Sequence, residues 1–116
     1  MAITITAKSR DFTKVEEYLM TISPNIKSLK DAEDNTSISV DGWLEYIEEK
    51  DGNEAEIMAI ITEDMKVYGF QSATAKRSLK DIDAIMDGEK YNVVKISGVT
   101  KSGRDYVNFI LDTSKL

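Results

Sequence analysis

The sequence predicts one mainly β domain: a five-stranded Greek-key barrel with a helix between its third and fourth strands, preceded by a strand–helix extension. Three observations carry that expectation. From residue 36 onward the apolar periodicity runs β-β-β-α-β-β. The first strand of that series is long and has a glycine, Gly42, on its apolar side. One helical stripe, at residues 72–86, falls between the third and fourth strands.

The extension comes first. In residues 2–8, Ile3, Ile5 and Ala7 alternate with Thr4, Thr6 and Lys8, the period of a short strand. In residues 11–22, Phe12, Val15, Leu19 and Ile22 fall at helical spacing with Glu16 and Glu17 opposite, and Pro24 ends the helix. Residues 23–35 are polar and read as a turn, a short helical piece and a loop.

The long strand spans residues 36–49. Ile38, Val40, Gly42, Leu44 and Tyr46 occupy one parity, and Ser39, Asp41, Trp43 and Glu45 the other. A glycine on the apolar side lets a strand bend tightly. Asp51-Gly52 is a hairpin signal, and residues 54–62 return with Ala55, Ile57, Ala59 and Ile61 alternating. Glu63-Asp64 turns into a third strand at 65–71. Ala75, Leu79, Ile82 and Met86 then make the helical stripe, with Ser72 or Thr74 as N-cap and Gly88 as the left-handed terminator. Residues 89–101 and 104–112 are the last two strands, joined through Ser102-Gly103.

This order matches the OB-fold, a Greek-key barrel capped by a helix. A ferredoxin-like sandwich needs a helix between its first two strands, where Asp51-Gly52 makes a hairpin instead. An SH3-like barrel lacks the long helix. The expectation is therefore a single OB-fold domain over residues 1–116, with 1–35 as an extension that packs on the barrel or pairs with another subunit, and 36–112 as the barrel.

Composition narrows the chemistry. With 116 residues and 41% apolar content the chain suits one core. There is no cysteine and no histidine, which removes thiolate nucleophiles, Cys-based zinc sites and the usual neutral-pH general base. No phosphate-binding glycine loop, nucleophile elbow or metal-ligand cluster appears, so neither an enzyme nor a cofactor is expected. No apolar run is long enough to span a bilayer and the start lacks a signal peptide's pattern, so no membrane partner and an intracellular location are expected. The net charge is −6, but unevenly spread: residues 31–63 hold eleven acids and one base, while residues 1–30 and 64–116 each sum to +2. A local basic face is compatible with the acidic total.

An OB barrel that holds single-stranded nucleic acid needs flat rings to stack on bases, at about 1–3 kcal/mol each, and cations to follow phosphates. Three stretches supply them. By strict alternation Trp43 faces away from the core, although Asp41 and Glu45 share its side, and it can instead be a covered residue under the N-terminal helix. Lys66, Tyr68 and Phe70 stand in line on the third strand, with core filling as the other reading for both rings. Lys101 and Arg104 flank the last hairpin's tip, with Tyr106 on the same face as Arg104; a solvated hairpin is the alternative. Lys76, Arg77 and Lys80 read as surface charge, and Asp81, Asp83, Asp87 and Glu89 as a solvated helix face.

The stretches "KVYGFQSATAKRSLKDID" and "YNVVKISGVTKSGRDYVNFIL" resemble the small single-stranded DNA-binding proteins of bacteriophages of Gram-positive hosts, the lactococcal phage type in particular. The resemblance is architectural and covers roughly residues 36–112. It implies an OB-fold protein that coats single-stranded DNA during phage replication and recombination in the bacterial host's cytoplasm. It also implies a homo-oligomer, with a dimer favoured, and contacts with replication or recombination proteins. By that analogy Trp43, Tyr68, Phe70 and Tyr106 stack, and Lys66, Lys101 and Arg104 meet phosphates, without sequence preference. Cellular bacterial relatives carry an acidic tail that recruits partners. "LDTSKL" has no such character, so recruitment through a tail is not expected. The competing reading is an acidic protein-binding OB module, or a mimic of DNA that blocks a host protein.

Overall fold

The long strand expected at residues 36–49 breaks at Asp41, and the break organises the molecule. A computed structural model describes residues 2–115. In chain order the elements are β1 (Ala2–Lys8), α1 (Lys14–Thr21), β2 (Lys27–Ser28), β3 (Ser37–Val40), β4 (Gly42–Lys50), β5 (Asn53–Ile61), β6 (Val67–Phe70), α2 (Ala73–Met86), β7 (Tyr91–Val99) and β8 (Asp105–Leu111), with short 3₁₀ turns at Leu29–Asp31 and Thr113–Lys115. The fold is mainly β. One sheet has the order β1-β4-β5-β6-β2 and the other β3-β7-β8. No pairing joins β6 to β8 among the described residues, so the sheets do not close into a barrel.

Local chemistry explains the elements. Asp51 and Gly52 both have positive φ, 52° and 80°, which suits a two-residue hairpin whose turn must follow the strands' twist. Thr13 caps α1 in a reciprocal box: its side chain accepts from the Glu16 N–H while Glu16 accepts from the Thr13 N–H. Ser72 caps α2 by accepting from the Ala75 N–H. At the other end of α2 the left-handed cap is Asp87, one residue before the expected Gly88, which also has a positive φ.

Strand phase changes at two places, and both changes serve the core. Ile38 and Val40 of β3 are buried in one cluster with Met58, Ile60, Leu79, Val93 and Phe109. Beyond the Asp41–Gly42 bend, Trp43 joins that cluster, while Leu44 and Tyr46 enter a second cluster with Met20, Ala59, Ile61 and Val67. The apolar parity is thus even before the bend and mixed after it, because β4 is covered on both faces. Strand β1 answers with a bulge at Thr6: Ile5 opposes Tyr46 and Ala7 opposes Glu45. Ile3 and Ile5 therefore pack on the second cluster, and Ala7 on the first.

The N-terminal extension packs on its own chain. β1 pairs antiparallel with β4, and α1 lies against β5 and β6. Arg10 fastens the junction. Its guanidinium sits 4.4 Å from the centre of the Phe12 ring and reaches Asp41 at 2.8 Å and Glu16 at 2.9 Å. Gly42 lies directly beneath Phe12; a Cβ there would stand 2.7 Å from the ring.

Candidate nucleic-acid interface

The gap between the two sheets forms a groove of about 970 Å³. One bank is the edge made by β2 and β6, with the residues flanking β2. The other is the β7–β8 hairpin. Ser72 Oγ donates to the Val107 carbonyl at 3.2 Å and ties the end of β6 to β8. On the first bank stand Ile26, Lys27, Ser28 and Lys30; on the second, Ser97, Val99, Asp105 and Tyr106.

Tyr106 is the ring that this groove exposes, at 38% of its surface. Its strand register places it opposite Gly98 on β7. The ring lies over that glycine so closely that a Cβ at 98 would meet the hydroxyl oxygen at 2.5 Å. The absent side chain lets the ring fold down flat across its partner strand. A flat, half-exposed ring beside a groove is what base stacking requires.

Lys95 anchors the floor. It is 3% exposed, and an ammonium so deeply buried must be bonded. Its Nζ donates to the carbonyls of Ala32 and Lys30 and lies 3.4 Å from Asp34. Asp34 in turn accepts from Ser97 Oγ, and that hydrogen bond, followed by Lys95, holds its carboxyl below the ordinary carboxylate value. The clasp fixes residues 30–34 against β7 and so sets Lys30 on the groove's edge.

The cations divide by partnership. Lys8, Arg10, Lys66, Lys80, Lys90 and Lys95 are all in ion pairs. Lys27 and Lys30, on one bank, and Lys101 and Arg104, at the tip of the opposite hairpin, make none among the described residues; nor do Lys14, Lys50, Lys76 and Arg77, which stand elsewhere on the surface. Asp105 is the acid on the groove wall.

Sequence-derived candidates are distributed unevenly. Tyr106 lines the groove, while Lys101 and Arg104 stand at the tip of the same hairpin, outside its lining. Trp43 does not face outward: it is 7% exposed, inside the first core cluster, with Lys80 5.9 Å from its ring centre. The change of phase at Asp41–Gly42 is the reason. Phe70 is also buried, edge-on to Phe109 with centroids 5.3 Å apart, and meets the groove only as part of its lining. Tyr68 is half-buried against the same core, because its register partner Ile60 faces inward. Trp43 and Phe70 are held by packing, which removes them from a stacking role; Tyr68 keeps part of its surface exposed but does not line the groove. Lys66 lies off the groove, exposed and 3.6 Å from Asp64.

Lys27, Lys30 and Lys95 were missed by sequence reading. Lys27 and Lys30 sit in a polar stretch without periodicity, and the only signal was the +2 balance of residues 1–30. Comparison of the chain with family models, with curated proteins and with solved structures returns no match.

Proposed function

We propose that this protein is a non-enzymatic single-stranded DNA-binding protein of the phage type, built on an OB-type arrangement left open between β6 and β8. Support for the arrangement comes from the bent strand. Its first half, β3, pairs with β7 and its second half, β4, with β5, while α2 connects β6 to β7. The observation that carries the function is the groove itself: a part-exposed Tyr106 on one bank faces Lys27 and Lys30, which make no ion pair among the described residues, on the other, and Lys101 and Arg104 stand beyond it at the hairpin's tip. Phosphates are attracted to Lys27, Lys30, Lys101 and Arg104, and a base stacks on Tyr106. Neither contact reads sequence.

The test is fluorescence anisotropy of a labelled dT oligonucleotide. Binding that weakens steeply with salt, with a slope reduced in a Lys27→Ala/Lys30→Ala variant, supports the reading. Absence of binding at low salt, with the protein folded, overturns it.

One observation favours a second reading. The β4–β5 hairpin is strongly acidic, and Glu49 stands directly across from Glu54. Like charges in register destabilise a ladder, so a basic protein partner at that end would relieve them. This reading predicts capture of a basic protein and indifference to oligonucleotides.

A further inference from the structure

A second, smaller depression of about 370 Å³ lies beside the groove, lined by Leu19, Ser23, Asn25, Met65, Lys66 and Lys27. Lys27 belongs to both linings, so the two sites share a wall. Several features that the groove leaves unexplained meet there. Met65 is 46% exposed and sits at φ 66°, a left-handed conformation that a long L side chain rarely adopts. Thr62 is the device that holds it: its N–H donates to the Lys66 carbonyl at 2.8 Å, and its carbonyl accepts from Met65 N at 3.0 Å. Its hydroxyl accepts from the Lys66 N–H at 3.0 Å and bonds to Asp64. A turn pinned at that many points presents an apolar thioether side chain to solvent beside two lysines.

We propose that this depression is a second nucleotide subsite, occupied by the same single strand that lies in the main groove, with Lys27 meeting the phosphate between the two sites. The inference rests on the single-stranded DNA reading above. Charge complementarity and continuity select the occupant. The lining joins Lys27 and Lys66 to the apolar Leu19 and Met65, a combination that suits a phosphate at a lysine and a base face over apolar atoms. Asp64 lies 3.6 Å from Lys66, but both side chains are more than half exposed, so the pair is weak and yields to a phosphate. A soluble acidic peptide would meet the lysines as well, but not in continuity with a stacking ring at Tyr106.

Oligonucleotide length is the readout. With dT oligomers of about 4 to 16 nucleotides, the range of one such domain, wild-type affinity should rise in a step once the strand reaches past Lys27. In a Met65→Gly/Lys66→Ser variant the turn keeps its backbone bonds and glycine accepts the positive φ. Short oligomers should then bind as in wild type. Longer ones should lose roughly tenfold, and their slope of log affinity against log salt should fall by about 0.7, the loss of one phosphate contact. Unchanged binding of the longer oligomers by the folded variant overturns the subsite while leaving the main groove standing. Failure of wild-type protein to bind any length removes both.

Discussion

Gly98 and Tyr106 stand opposite one another on β7 and β8, and the tyrosine ring occupies the space that a side chain at 98 would need. The glycine has no positive φ, so its identity is set by the ring above it rather than by the backbone. A ring laid over a strand glycine is a known way to stabilise a weak point in a ladder. Here it also fixes the ring's tilt at the groove.

Gly98→Ala should therefore act on binding more than on folding. The methyl group meets only the far end of the tyrosine, which can swing away. Oligonucleotide affinity should fall about as far as in Tyr106→Ala, roughly tenfold if one stacked base is lost. Thermal stability should drop by about 1 kcal/mol or less. Anisotropy and a melting curve on the same sample decide it: intact affinity in Gly98→Ala would show that the ring's tilt is irrelevant.

Trp43 should report folding rather than binding. Truncation to alanine removes a large buried ring and should cost about 3–5 kcal/mol. Trp43→Phe should cost far less, because the indole N–H finds no acceptor among the described residues and its removal takes away a buried donor. Emission of the native protein should be blue-shifted and change little on adding poly-dT. Strong quenching by DNA without unfolding would return Trp43 to the interface.

How much of this was visible beforehand depends on whether the relevant signal was local. The Asp51-Gly52 turn and the Ser72 cap are short-range, and each lies where its residues put it. Strict alternation through Gly42 puts Trp43 outward, whereas the bend at Asp41–Gly42 turns it into the core. The glycine announced a bend, but nothing local says that a bend moves the next aromatic to the other face. Thr6 hides its bulge for the same reason: only the partner strand shows that Ile5 and Ala7 serve different clusters. Lys27 and Lys30 are brought to the groove by the pairing of β2 with β6, a two-residue parallel contact with no sequence pattern of its own.

The Gly42–Phe12 contact should tie the extension to the sheet. Gly42→Ala places a methyl group 2.7 Å from the Phe12 ring, which is held in turn by Arg10. Crowding of this kind costs about 1–3 kcal/mol. The loss should appear as faster hydrogen exchange in β1 before any change in β7 and β8, and Phe12→Leu in the same chain should recover part of it. Uniform acceleration through both sheets would mean that the extension is not a separable unit.

Acid should loosen the same junction. Glu16 is held below its ordinary value of 4.5, first by its hydrogen bond from Arg10 and then by the Thr13 N–H. The charged carboxylate is therefore favoured in the folded state, and its contribution is complete above the unfolded value. It disappears as pH falls through the lowered, folded value. Glu16→Gln retains an acceptor for Thr13 but loses the charge facing Arg10, so at neutral pH its melting temperature should lie below that of wild type. On acidification the two curves should converge, because protonation does to the wild type what the substitution did. A gap that persists well below the ordinary carboxylate range would assign the effect to packing and not to the ion pair.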